Sequence, residues 1–135
     1  MNFTLHPDFA GSTRRVIAYD LCDVLLEDDS RFVWLILVPR RDGVREIEDL
    51  SAADRAQLTE EYILAGSLVR RIGEALGRPI DKLNVAALGN VTPQLHVHVI
   101  GRRRDDAAWP KPVWGSGAPK PYSDRQLKKI RAVLR

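Results

Sequence analysis

Between Ser51 and Leu76, apolar side chains recur at Leu58, Tyr62, Ala65, Val69, Ile72 and Leu76, spaced four, three, four, three and four apart. An α-helix gathers such positions onto one face, and Arg55, Glu60, Arg70, Arg71 and Glu74 are left for the other. Ser51 can cap the first turn, with Asp54 inside it, and Gly77 and Pro79 close the last. A helix of that length is about 40 Å long at 1.5 Å per residue, enough to traverse a domain of this size. Its plain reading is a rod that must pack on something equally long. It carries no chemistry of its own.

Short β-rich segments flank the rod on both sides. Val16–Tyr19, Val24–Leu26 and Phe32–Val38 come first, the last two separated by the polar turn Glu27-Asp28-Asp29-Ser30. The run FVWLILV hardly alternates, which predicts a strand covered on both faces. Pro39 ends it, and Arg40 to Leu50 reads as a loop. After the helix, Lys82–Leu88 and Leu95–Ile100 are predicted strands, joined by the loop Gly89-Asn90-Val91-Thr92-Pro93. Arg104 to Tyr122 is proline-rich and holds Trp109 and Trp114, so it reads as an ordered but irregular arm. Ser123 and Gln126 open a short final helix with Leu127, Ile130 and Leu134 on one face. The order β-β-β-α-β-β-α predicts an α+β fold with an antiparallel five-stranded sheet, one long helix and one short C-terminal helix. One domain over residues 1–135 is expected, its core at about 16–104, with the arm and last helix in 105–135.

Composition narrows the function classes. With 44% hydrophobic and 29% charged residues the chain is not a disordered one. Cys22 is the single cysteine, which excludes an intrachain disulfide framework and any CxxC motif. No apolar run is long enough to span a bilayer, and MNFTLHPDF lacks the pattern of a secretory signal, so a cytoplasmic location is expected and no membrane partner. Net charge is +3, but residues from Gly101 onward carry ten basic and three acidic side chains. That basic end could attract phosphates. It lacks any basic–aromatic pattern of a nucleic-acid module, and nucleic acid is not the expected partner.

Chemistry concentrates in Gln94-Leu95-His96-Val97-His98-Val99-Ile100. On a strand, Gln94, His96 and His98 share one face, while Leu95, Val97 and Val99 point into the core. Such a row can be a merely polar strand face, but two imidazoles beside a Gly-Asn loop suit catalysis better. Two roles fit. An HxH pair can give two ligands to a metal, yet this needs a third ligand. The other histidine, His6, is remote in sequence, and three arginines follow Gly101. Alternatively, a neutral imidazole nitrogen attacks phosphorus, with the second imidazole, Asn90, backbone N–H groups and Arg102 around the phosphate oxygens. This chemistry requires no metal and no cofactor.

The segment resembles the histidine triad (HIT) family motif, His-φ-His-φ-His-φ-φ with φ apolar, here with Gln94 in place of the first histidine. Asn84 and Gly89-Asn90 resemble the family's phosphate-binding loop, and LILVPRRDGVREIEDLS resembles its strand, loop and helix start. The likeness runs over residues 16–104. It implies a nucleotidyl hydrolase or transferase, usually a homodimer, whose substrate is a nucleotide-type small molecule. By resemblance, His96 is the nucleophile and His98 a contact of the α-phosphate. Asn84, Gly89 and Asn90 are then phosphate or leaving-group contacts, and Asp28 or Asp29 holds the ribose. Three departures stand out. Gln94 cannot carry a proton at neutral pH. Val33-Trp34 stands where the family has Gly-His, and the zinc-binding cysteines of some bacterial members are absent. Two alternatives are a nucleotide-binding protein with little catalysis and, behind it, a metal-dependent enzyme using the HxH pair.

Overall fold

The computed structural model describes residues 3–135. Its strands are β1 (Thr13–Ala18), β2 (Cys22–Glu27), β3 (Val33–Pro39), β4 (Lys82–Ala86) and β5 (Val97–Arg102). The long helix α1 (Ala52–Ala75) joins β3 to β4, and α2 (Asp124–Val133) ends the chain. The strands form one antiparallel sheet in the order β1-β2-β3-β5-β4, the α+β arrangement expected from the element order. Two short 3-10 turns were not foreseen: Pro7–Gly11 precedes the first expected strand, and Ile47–Asp49 lies inside the expected loop. No helix among the described residues is long and apolar enough to cross a membrane.

Local chemistry sets the ends of α1. Ser51 Oγ accepts from Asp54 N–H at 3.1 Å. At the other end Gly77 has φ +70°, and the N–H groups of Gly77 and Arg78 reach back to Glu74 O and Gly73 O. That is a Schellman closure, which glycine permits because it has no Cβ. Leu58, Ala65, Val69 and Ile72 are buried on the predicted face, with Tyr62 and Leu76 half-buried. Glu61, on the same face, was not anticipated there. It is 1% exposed, and its two carboxylate oxygens accept from the N–H groups of Leu21 and Cys22, each at 2.8 Å. Gln57 Nε2 donates to it as well. Buried donors left without partners would cost about 1–3 kcal/mol each, so Glu61 fastens the β1–β2 turn to the helix.

The sheet is covered on both sides. Val33, Leu35 and Leu37 of β3, with Val97 and Val99 of β5, join α1 and α2 in one core. Gly101 helps the helix approach, since a Cβ there would meet Val69 Cγ1 and Ile80 Cδ1 at 2.7 Å. Trp34, Ile36 and Val38 point to the opposite face, where Phe9 from the N-terminal segment and Val113 from the arm cover them. The arm is irregular, as expected, and is fixed by a buried hub. Arg102, 1% exposed, donates to both oxygens of Asp106, to Asn84 Oδ1 and to Lys111 O. Burial works against the charge on Asp106, yet Arg102 and the N–H groups of Arg103, Ala108 and Trp109 outweigh it and hold this carboxyl at about 2.

Candidate active site

The alternation on β5 places Leu95, Val97 and Val99 in the helix-side core and the two histidines on the other face. That face is not open. His96 is 7% and His98 5% exposed, beneath the N-terminal segment and the arm. The Phe9 ring stands edge-on to His96 at 5.0 Å, and the Trp114 ring stands edge-on to His98 at 5.0 Å. β4 stops at Ala86 and β5 starts at Val97, so His96 stands just before the strand, and Leu88 and Gly89 of the intervening segment lie against His98 and His96.

Hydrogen-bond partners decide the state of each ring. His96 Nδ1 lies 2.7 Å from Gln94 O, a carbonyl that only accepts, so Nδ1 carries a proton, and in the neutral ring the lone pair is on Nε2. His98 is the reverse. Trp34 Nε1, which only donates, is 3.0 Å from His98 Nδ1, and His98 Nε2 is 2.8 Å from Leu88 O. His98 is therefore a neutral Nε2–H imidazole with both nitrogens engaged. Burial pushes its pKa from 6.5 down to about 4, with His96 acting in the same direction and the Leu88 bond opposing. Its hydrogen bond holds the loop at Leu88, next to Gly89. A Cβ on Gly89 would come within 2.7 Å of His96 Nε2, so only a bare backbone fits beside the unprotonated nitrogen. The N–H groups of Gly89, Asn90 and Val91 have no protein acceptor among the described residues.

Gln94 is engaged too. Its Oε1 accepts from His6 N at 2.8 Å and its Nε2 donates to Thr4 O at 3.0 Å, so the amide pairs with the N-terminal segment much as a peptide group would. His6, remote in sequence, is thus brought beside the row. Its Nδ1 accepts from Asp8 N at 3.1 Å, and Asp8 Oδ2 accepts from Thr92 Oγ1 at 3.0 Å.

Of the residues expected at the site, His96, His98, Gln94 and Gly89 are gathered together, and Asn90 follows Gly89 on the exposed loop. Arg102 is not free to hold a phosphate, because the arm hub engages its whole guanidinium. Asn84 pairs with Ile100, four residues past His96, and its Oδ1 belongs to that hub. Asp28 and Asp29 sit on the β2–β3 turn, at the Gly101 end of the sheet, whereas His96 adjoins the Leu37 end. Asp28 accepts from Tyr122 N, and Asp29 from Arg31 and Lys120 N, which ties down the arm. Among the described residues no three His, Cys, Asp or Glu side chains gather as a metal would need. Sequence reasoning missed the placement of Trp34, Phe9 and His6. Trp34 alone had a signal, as a departure from the family pattern.

Two outcomes test this geometry. Nitrogen-15 NMR should show His98 as the neutral Nε2–H tautomer from pH 7 down to about pH 5; protonation near its ordinary value would refute the lock. Since unfolding restores that ordinary value, the native state binds fewer protons between about 6.5 and 4, and His98 makes stability fall as pH drops through this window. Gly89→Ala should leave the fold intact by circular dichroism while removing any reactivity of His96 Nε2 toward phosphorus.

The HIT domain family model matches residues 11–105. Solved structures of histidine triad proteins superpose over nearly the whole chain, arm included. One from Bradyrhizobium japonicum is 39% identical with a TM-score of 0.90, covering 98% of this chain and 95% of its own. One from Sinorhizobium meliloti is 38% identical with a TM-score of 0.87, covering 98% and 94%. One from Marinobacter aquaeolei is 43% identical with a TM-score of 0.81, covering 98% and 93%. A search of curated proteins finds no match. With the family model spanning well over half its length and relatives of this similarity, the chain belongs to the histidine triad family, whose members are generally nucleotide-binding hydrolases and transferases.

Proposed function

We propose that the chain is a nucleotidyl hydrolase or transferase acting at the α-phosphate of a nucleoside phosphate derivative through a covalent nucleotidyl-His96 intermediate. The observation that carries this is the His96 tautomer: Nδ1–H is held by Gln94 O, which puts the neutral ring's lone pair on Nε2, facing the bare backbone of Gly89. An imidazole fixed in this way needs no deprotonation before it attacks. The unengaged N–H groups at Gly89–Val91 are donors for the phosphate oxygens as charge shifts in the transition state. His98 acts as a positioning residue, holding the loop through Leu88 O. Trp114 and Phe9 wall the site, their rings edge-on to His98 and His96.

A second reading is a nucleotide-binding protein with little catalysis, favoured by the amide at position 94, which offers no proton. One assay separates the two. Single turnover of a nucleoside 5′-phosphate mixed anhydride, followed by intact-protein mass, should give a nucleotidyl adduct in wild type and none in His96→Ala. Nucleotide binding with no adduct and no product would favour the second reading.

The assembly proposed is a homodimer. β4 is a sheet edge, and exposed Val85, Leu88 and Val91 line it and the loop that follows. Sedimentation at micromolar concentration should give twice the chain mass, and a lone monomer would remove this part of the proposal. A cytoplasmic location goes with a nucleotide substrate and with Cys22, which is buried and unpaired.

A further inference from the structure

The row that meets the substrate contains no side chain free to deliver a proton. Gln94 is an amide with both ends engaged, to His6 N and Thr4 O. His98 is held between a pure donor, Trp34 Nε1–H, and a pure acceptor, Leu88 O. His96 keeps its one proton on Nδ1, directed at Gln94 O and away from the nucleophilic nitrogen. The remaining groups packed on this face offer little. β3 contributes Trp34 and Ile36, the arm Trp114, and the N-terminal segment Phe9. Arg102 is paired with Asp106. Two titratable groups of the N-terminal segment lie beside the row, His6 and Asp8, and they face each other across 3.5 Å.

We infer that the site selects substrates whose leaving group departs as a stable oxyanion, a carboxylate or a phosphate joined to a nucleoside monophosphate as a mixed anhydride, and discriminates against leaving groups that must be protonated as they go, such as the amine of a phosphoramidate. This rests on the nucleotidyl-histidine reading. The step balances without an acid. His96 Nε2 bonds to the α-phosphorus, the P–O bond to the leaving group breaks, and its electron pair leaves on that oxygen. Nδ1 keeps its proton, so the adduct is an N-phosphoryl imidazolium hydrogen-bonded to Gln94 O. Water then bonds to phosphorus, the P–N bond breaks with its pair returning to Nε2, and the proton from water passes to solvent. An amine expelled by the same route would leave as an amide anion.

The test is the dependence of kcat/KM on the leaving group. Aryl esters of a nucleoside 5′-monophosphate, from 4-nitrophenyl to phenyl, are compared with an acyl-phosphate anhydride and a 5′-phosphoramidate. Wild type, Gln94→His and His6→Ala are each assayed. The wild-type rate should fall steeply along the aryl series, and the phosphoramidate should lag the anhydride by about 10²-fold or more, the usual contribution of a general acid. His6→Ala should leave that slope unchanged, and Gln94→His, which places a titratable ring in the row, should flatten it. A phosphoramidate cleaved within about tenfold of the anhydride overturns the inference. So does a wild-type slope no steeper than that of Gln94→His, or a slope that steepens in His6→Ala, which would make His6 the acid. Absence of turnover and adduct with every substrate would instead refute the nucleotidyl-histidine reading, so the two failures are distinct.

Discussion

A central strand with no polar face leaves a sheet with two sides to cover, and this constraint organises the molecule. β3 is buried from end to end, with Val33, Leu35 and Leu37 toward α1 and Trp34, Ile36 and Val38 away from it. One long helix covers the first side. The second has no helix, so the N-terminal segment and the arm cover it instead, with Phe9, Val113 and Trp114 as their contacts. His98 of β5 and His96 just before it lie on that second side. Their burial follows from the need to cover β3 and not from any preference of imidazole for the interior.

Burial is what gives the site its chemistry. In water a histidine samples both tautomers and the cation; here three of the four ring nitrogens meet one partner of fixed sense. Leu88 O and Gln94 O only accept, and Trp34 Nε1 only donates, so the two imidazoles are held in opposite tautomers. The His98 ring holds the loop that brings Gly89 against His96, and so the ring that does not react sets the approach to the one that does. The arm depends on the Arg102 hub in a similar way: a buried guanidinium is tolerable because Asp106, Asn84 and Lys111 O satisfy it. That same engagement removes Arg102 from phosphate binding.

Much was legible in the residues. The spacing from Leu58 to Leu76 located α1 and its buried face, the unbroken apolar run located β3, and strict alternation assigned the facing of His96 and His98. These are local signals, because periodicity is a property of the chain's own geometry. Glu61 was illegible, since its partners Leu21 and Cys22 lie about forty residues away. So was the acidic turn: Asp28 and Asp29 look like free carboxylates until Tyr122, Arg31 and Lys120 arrive beside them.

The sequence by itself determined the α+β element order, the helix caps, and the clustering of two imidazoles and a glutamine at the start of the last strand, of which only His98 lies on the strand itself. Only the tertiary structure decided which imidazole carries its proton where, that Trp34 locks His98, and that Gln94 clamps the segment bearing His6. The reason is physical. A side chain's type is written in the chain, but its protonation and tautomer depend on the donors and acceptors that folding places within about 3 Å of it.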